Sequence, residues 1–391
     1  MFAVAPIGPS AAAMRDRTEA VGRRGVGAGS AMIRIGLVGC GHIGTVHAYV
    51  LQQLAQADVV DAALVATFDA DPERAARVAR HHGGDPAASL ADLVADVDVV
   101  WVCTWTAAHL EAVDLAVSAG RPVFCEKPLG PTLVEAERVA TLLDRVPHQV
   151  GLVLRWSPVF QRAADLITNG EFGRPLAAVL RDDQYFPIQG FYGSTWRKEV
   201  VHAGGGTLIE HSIHDVDVLR WLLGDPVSVT ARTASRFGHP GIEDTAAVSF
   251  GFDDGSVAQL TSVWHQVLTR ESGRRLEVFC ETAAFWTDDD YLGPLHVQTS
   301  DGAHEVVSAL PDWAALLTVP DVYAKPVAHY GTAAKAFLDG LRPDVGSPAG
   351  PAQVGGGFPG AAEALAAHRL VDEAYRSAAS GGVPVPTGHR S

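Results

Sequence analysis

The sequence predicts two joined domains, an α/β unit on a parallel sheet followed by an α+β unit whose sheet is mainly antiparallel. Three observations carry that expectation. From Ile33 to about residue 154, short β-branched runs alternate with helix-length amphipathic stretches, the pattern of βαβ units. A glycine-rich turn, Gly39-Cys40-Gly41-His42-Ile43-Gly44, stands where the first strand hands over to the first helix. Beyond residue 225, strand-like runs follow one another across short turns, as hairpin-linked strands do.

In the first domain, residues 32–153, strands are expected over 33–38, 63–68, 99–103, 122–125 and 149–154, and helices over about 42–56, 110–119 and 132–143. The second, residues 154–391, is expected to open with helices over 158–168 and 207–223. Strands then follow around 226–236, 245–252, 256–265 and 275–280, with Asp253-Asp254-Gly255-Ser256 as a hairpin turn. A Gly- and Pro-rich loop over 343–360 precedes a closing Ala-rich helix over 361–379, free to pack back on the first domain. Residues 1–31 carry no sustained apolar period and are expected to be a disordered leader, unless translation begins at Met32. Arg23-Arg24 is followed by Gly25-Val26-Gly27-Ala28-Gly29 where an export signal needs a long apolar core, so export is not expected.

Composition narrows the function classes. The formal net charge is -15, with no concentrated basic patch, so a nucleic-acid partner is not expected. No apolar stretch approaches the roughly 20 residues of a membrane span. Cys40, Cys103, Cys125 and Cys280 are widely spaced, and three lie in or beside apolar runs, which suggests a reducing, cytoplasmic compartment. Only four lysines are present, Lys127, Lys198, Lys325 and Lys335. A lysine at a chemically telling place therefore stands out.

Four motifs carry chemistry. In Gly39–Gly44 the first glycine permits a tight turn, the second lets backbone approach a pyrophosphate, and the third lets helix and strand pack closely. Asp69 ends the second strand 25 positions after Gly44, where a carboxylate can accept from the ribose hydroxyls of NAD; with Asp71 near and no Arg directly after, NADP is disfavoured. Glu126-Lys127-Pro128 follows a sheet strand, and ligands of open α/β sheets bind beyond strand carboxyl ends. The run Gly204 to Asp217, as a helix, puts Ile209, Ile213 and Val216 on one face and Glu210, His214 and Asp217 on the other, one turn apart. A carboxylate there can orient His214 as a general base. Glu210, His211, His214 and Asp215 also admit a metal-ligand reading, but His211 lies off the Glu210–His214 line and no further cluster has ligand spacing, so no metal is expected. A merely solvated polar face is the remaining alternative, set against the Gly204-Gly205-Gly206 turn, which implies that something approaches the backbone closely.

Taken in this order, the four motifs resemble the Gfo/Idh/MocA family, which includes glucose–fructose oxidoreductase and inositol dehydrogenases. The likeness runs from about Met32 to about residue 285. It implies a doubly wound Rossmann domain binding NAD, then an α+β domain with an open, mainly antiparallel sheet that often makes a homo-oligomer, a dimer or tetramer. It implies a nicotinamide-side lysine at Lys127, beside Glu126 and before a proline that is often cis, and an acid–His pair at Glu210 and His214. Many relatives have Asp where this chain has Glu210. Many also have Thr-Pro where it has Thr104-Trp105, with His109 at the usual offset; Thr104, Trp105 and His109 resemble the family's cofactor contacts. Arg155 and the segment Tyr185 to Arg197, with Tyr185, Tyr192 and Trp196, are expected substrate contacts. The implied reaction is hydride transfer between a secondary alcohol of a sugar, glycoside or cyclic polyol and NAD, with Lys127, His214 and Glu210 handling the hydroxyl proton. An NADP-dependent carbonyl reductase and a nonenzymatic NAD sensor are the rivals.

Overall fold

The computed structural model describes residues 32–388 apart from 191, 290, 292, 308–310, 318, 320 and 343–358. The expected leader, and most of the expected loop over 343–360, lie outside the described residues.

Six parallel strands form the first sheet, in the order β3-β2-β1-β4-β5-β6: β1 (Ile33–Val38), β2 (Ala62–Phe68), β3 (Asp85–Pro86), β4 (Val99–Val102), β5 (Val123–Cys125) and β6 (His148–Val150). This is the doubly wound dinucleotide-binding order, in which the chain reverses between β1 and β4 and opens a crevice at their carboxyl ends. Alternating side chains feed two cores. Ile35, Leu37, Val99 and Trp101 point into one, whereas Val38, Val100 and Val102 point into the other. Four helices follow strands in turn: α1 (His42–Gln56), α2 (Pro72–His82), α3 (Leu90–Ala95) and α4 (His109–Ser118), with α5 (Leu133–Leu143) after β5. Their starts are set locally. Asp71, Ser89 and Thr132 cap α2, α3 and α5 by accepting first-turn N–H groups, and Pro72 opens α2.

Nine strands make the second sheet, ordered β14-β13-β12-β11-β7-β10-β9-β8-β15. Its centre is β7 (Pro175–Tyr185), parallel to β10 (Val257–His265) and antiparallel to β11 (Gly273–Cys280). Outward lie β9 (Thr245–Gly251), β8 (Ser228–Ala234) and β15 (Val385–Pro386) on one side, and β12 (Ala283–Thr287), β13 (Leu295–Thr299) and β14 (His304–Val307) on the other. The expected turn between β9 and β10 is present: Gly255 has φ +86°, and Asp254 accepts from Ser256 N at 2.9 Å. One face of this sheet carries α6 (Pro158–Thr168) and a large apolar core; its central strand escaped sequence detection because Asp182, Asp183 and Gln184 are buried polar residues that break the apolar alternation.

The expected single helix over 207–223 is corrected. The chain forms a short α7 (Val200–Ala203), then α8 (Thr207–Glu210) and α9 (Ile213–Leu223), with His211 and Ser212 outside helical geometry between the last two. Ser212 N reaches back five residues to Thr207 O at 2.9 Å, a π-type turn. The cause lies beneath. Asp182 on β7 accepts from Ser212 Oγ at 2.7 Å and faces His211 Nδ1 at 2.7 Å, while Arg274 Nε on β11 donates to Asp215 at 2.7 Å. Sheet side chains thus hold the polar residues of this segment in place of a continuous helix.

After the second sheet the chain returns. In α10 (Asp321–Gly340), Val327, Ala334, Phe337 and Leu338 complete the core around Trp101 and Phe124. Then α11 (Ala361–Ala379) packs its first turn on the other face of the first sheet and Leu370, Val371 and Ala374 on the second domain's core.

Candidate active site

The glycine turn has the geometry its spacing predicted. Gly39 has φ +93°, and a Cβ on it would lie 2.5 Å from Cys103 backbone; a Cβ on Gly44 would lie 1.9 Å from Gly39 O. Around Gly41, by contrast, a Cβ would meet nothing within 4 Å. Close packing thus excludes side chains at the first and third glycines, and open space is left at the second, where α1 begins with no side-chain cap on its first-turn N–H groups. Asp69 Oδ2 accepts from Cys40 N at 2.7 Å, tying the end of β2 to the turn, and its oxygens retain lone pairs for ribose hydroxyls. His42, in the first turn of α1, meets the edge of the Tyr192 ring at 5.3 Å, and burial pushes its pKa down to about 4. Ile43 packs against the core that holds Ile35 and Leu37. These residues fit a dinucleotide.

Glu126-Lys127-Pro128 follows β5, with a cis peptide bond before Pro128. Glu126 is buried. Its Oε1 accepts from His47 Nε2 at 2.8 Å and its Oε2 from Lys127 N at 3.1 Å, and although burial raises its pKa, these contacts hold it net below the usual carboxylate value. Lys127 Nζ donates to the backbone oxygen of Glu210 at 2.7 Å. Burial lowers the Lys127 pKa, partly offset by Glu210 and Glu126.

Glu210 is the meeting point of the two domains. Its carboxylate accepts from Thr106 Oγ1 of the first domain at 2.7 Å and from Arg197 Nε of the second at 3.0 Å. This corrects the expected stripe: with the helix broken at His211 and Ser212, both Glu210 oxygens turn to Thr106 and Arg197 instead of orienting His214, and Asp217 pairs with Arg155. His214 is buried, its Nδ1 without a hydrogen-bond partner among the described residues. Burial, then the charges of Lys127 and Arg274, hold its pKa well below the ordinary histidine value, so it is neutral at pH 7. Arg274 can only donate, at 3.2 Å to His211 Nε2, which assigns the His211 proton to Nδ1, facing Asp182. Burial brings the His211 pKa down to about 4. Below them burial raises Asp215 well above the carboxylate range, while Asp182, which burial alone would raise, is pulled low by Arg274 and His211.

The other sequence candidates are dispersed among several surroundings. Thr104 and His109 sit at the end of β4: His109 Nε2 donates to Thr104 O at 3.3 Å, and Thr104 Oγ1 is buried without a hydrogen-bond partner among the described residues. Trp105 stands at the surface, stacked on His202 of α7 at 5.4 Å. Arg155 donates to both oxygens of Asp217 at 2.7 Å, which occupies much of its fork. Tyr185 lies 5.4 Å from Tyr192, and Trp196 carries the Arg197 guanidinium over its ring at 4.4 Å. The three glycines before α8 are explained by the chain itself: Cβ atoms on Gly204, Gly205 and Gly206 would strike Pro131, Tyr375 and Glu243. Sequence reasoning did not find Thr106, Arg274 or His47. No local pattern marks them, since each acts across more than 55 residues of chain.

Residues 33–152 match the model of the oxidoreductase family with an NAD-binding Rossmann fold, and residues 160–286 match the GFO/IDH/MocA C-terminal domain. The chain is 30% identical to inositol 2-dehydrogenase of Rhizobium meliloti strain 1021 over 283 residues, 69% of this chain and 80% of that protein. It belongs to the Gfo/Idh/MocA oxidoreductase family. Another relative in the family, 1,5-anhydro-D-fructose reductase of Ensifer adhaerens, is 34% identical over 209 residues, 50% of this chain and 60% of that protein. The fold is also that of levoglucosan dehydrogenase solved with NADH and levoglucosan: TM-score 0.79 at 20% identity, covering 91% of this chain and all of that one. As a Gfo/Idh/MocA member with this Rossmann domain, the chain is an NAD-binding oxidoreductase. Among the described residues no helix is long and apolar enough to cross a membrane.

Proposed function

We propose that the chain interconverts a secondary alcohol of a sugar, glycoside or cyclic polyol with the corresponding ketone. The observation that carries the proposal is the convergence on Glu210: Lys127 on its backbone oxygen, Thr106 and Arg197 on its carboxylate, and neutral His214 under the charge of Lys127. NAD, when bound, would supply the hydride-accepting chemistry for the carbinol carbon. Gly39, Gly41, His42, Ile43 and Gly44 would hold its pyrophosphate at the start of α1, Asp69 its ribose, and Thr104, His109 and the Glu126–Lys127 segment its nicotinamide side. His214 takes the hydroxyl proton as the carbon–hydrogen bond breaks. Lys127 Nζ, with N–H groups to spare beyond Glu210 O, stabilises the negative charge that develops on that oxygen. Glu210 positions Lys127 through its backbone and joins the domains through its side chain.

The test is direct. Reduction of NAD is followed by absorbance on a panel of inositols, aldoses, anhydrosugars and glycosides, and turnover of at least one is expected; no turnover with NAD bound would overturn the proposal in favour of a sensor.

Two further proposals concern the whole chain. Val179, Val257 and Phe279 stand exposed on the second sheet, which supports a homo-oligomer made through that sheet. Four free, buried cysteines support a reducing, cytoplasmic location.

A further inference from the structure

We propose that His47, in the middle of α1, is a positioning residue that acts on Lys127 through Glu126. The inference rests on the dehydrogenase reading of Lys127 and deepens it.

His47 is 0% exposed. Its ring lies among those of Trp101, Phe124 and Tyr330, with centroids 5.9, 5.1 and 5.2 Å away. An apolar side chain would fill such an aromatic box, whereas an imidazole carries two polar nitrogens out of water, which is costly unless they are bonded. One of them is. Nε2 lies 2.8 Å from Glu126 Oε1, and because an ionised carboxylate only accepts, the ring donates there. Nδ1 has no hydrogen-bond partner among the described residues. The polar role of His47 is therefore directed wholly at Glu126.

Glu126 is confined to receive that bond. Its N donates to Val102 O at 2.9 Å, and Gly151 N donates to Cys125 O at 2.8 Å, so the backbone around it is pinned to β4 on one side and to the end of β6 on the other. A Cβ on Gly151 would lie 2.8 Å from Oε1 and 2.9 Å from Oε2. The glycine thus leaves the space that the carboxylate fills. Oε2 accepts from Lys127 N at 3.1 Å, and Lys127 Nζ reaches Glu210 O at 2.7 Å. A continuous line of contacts runs from α1 to the reacting side chain.

Electrostatics give that line a direction. Burial alone would neutralise Glu126, and the bond from His47 is the largest influence against it. Burial likewise draws Lys127 toward its neutral form, opposed by Glu210 and then by Glu126, while Arg197 and Arg274 add to the effect of burial. His211 and His214 also lie within the field of Lys127. Around Glu126 stand His109, Cys103, Cys125 and Tyr330. All these groups are the same in each variant below. Without its donor Glu126 takes up a proton, and Lys127, having lost a negative neighbour, releases its own at lower pH.

The test reads Lys127 itself. Only four lysines are present, so the side-chain NMR signals of isotope-labelled lysine are few, and Lys127→Arg identifies the relevant one. Its titration is followed without NAD or substrate. In the donorless variants His47→Phe and His47→Ala, Lys127 is expected to titrate lower by about one pH unit or more. Glu126→Gln should lower it similarly, and His47→Phe combined with Glu126→Gln should lower it no further than Glu126→Gln alone. His47→Gln, which donates from nearly the same point, should keep the wild-type titration. Wild-type titration in either donorless variant overturns the proposal by leaving His47 a packing role, as does a further drop in the double variant. If neither donorless variant folds, Glu126→Gln titrating low while His47→Gln titrates as wild type upholds the proposal; an unmoved Lys127 in Glu126→Gln, or a lowered one in His47→Gln, overturns it. Because the titration needs no turnover, a protein that shows these shifts and reduces no NAD would defeat the dehydrogenase reading and leave this one standing.

Discussion

At the scale of single residues, the site works by holding charges apart in a buried space. His214 is kept neutral by burial and by the cations Lys127 and Arg274, and burial draws Lys127 below the usual lysine value. The pH dependence of alcohol oxidation follows with its sign. In the proposed mechanism oxidation needs neutral His214, so its rate should be constant through pH 6.5 and fall only well below it; it needs charged Lys127, so it should fall again at alkaline pH, below 10.5. A kcat/KM profile checks both limbs, and an acid limb centred at or above 6.5 would contradict the electrostatics. Glu210 gives a second test. Glu210→Asp shortens the side chain, so one carboxylate no longer reaches Thr106 and Arg197 together. We expect kcat to fall about tenfold, about 1.4 kcal/mol, with NAD affinity retained; steady-state kinetics at wild-type values would sink the positioning role. Lys127, His214 and Asp69 could be found from the sequence because each belongs to a short motif beside a strand or helix end. Thr106, Arg274 and His47 could not, because their partners are remote in sequence and their residue types are ordinary.

The elements were legible where side-chain period and burial agree. Strands β1, β4 and β5 are apolar on both faces, and the glycine turn marks the start of α1. Strand β7 was hidden by its buried Asp182, Asp183 and Gln184, and the break between α8 and α9 was hidden because apolar spacing runs through it while the polar anchors come from β7, β10 and β11. Local pattern cannot report such tertiary bonds. The glycine turn supports a paired prediction. Gly44→Ala places a methyl 1.9 Å from Gly39 O and should cost about 3 kcal/mol or more of stability together with NAD binding. Gly41→Ala meets open space, so stability should stay within about 0.5 kcal/mol while NAD affinity falls. Thermal denaturation and calorimetry separate the two, and an equal loss of stability in both variants would refute the division of labour.

For the molecule as a whole, the return of α10 and α11 to the first sheet and the Thr106–Glu210 bond join the two domains on either side of the crevice. Sequence pattern indicated two domains and left the closing helix over 361–379 free to pack back on the first; it did not indicate that α10 completes the core around Trp101 and Phe124, since helix periodicity says nothing about which face is covered. The exposed apolar side chains of the second sheet give an assembly prediction. Phe279→Glu should reduce the sedimentation mass to that of a single chain while leaving the fold intact, and an unchanged mass would remove that sheet as the interface. The central claim, that Lys127 acts on substrate oxygen and is dispensable for holding NAD, is tested most directly by one comparison. Lys127→Ala and wild type are titrated with NAD by calorimetry, then assayed on the best substrate of the panel. The account predicts that the variant binds NAD with affinity close to wild type and loses turnover by a factor on the order of a thousand or more. Turnover near the wild-type rate in a variant that binds NAD normally would contradict it.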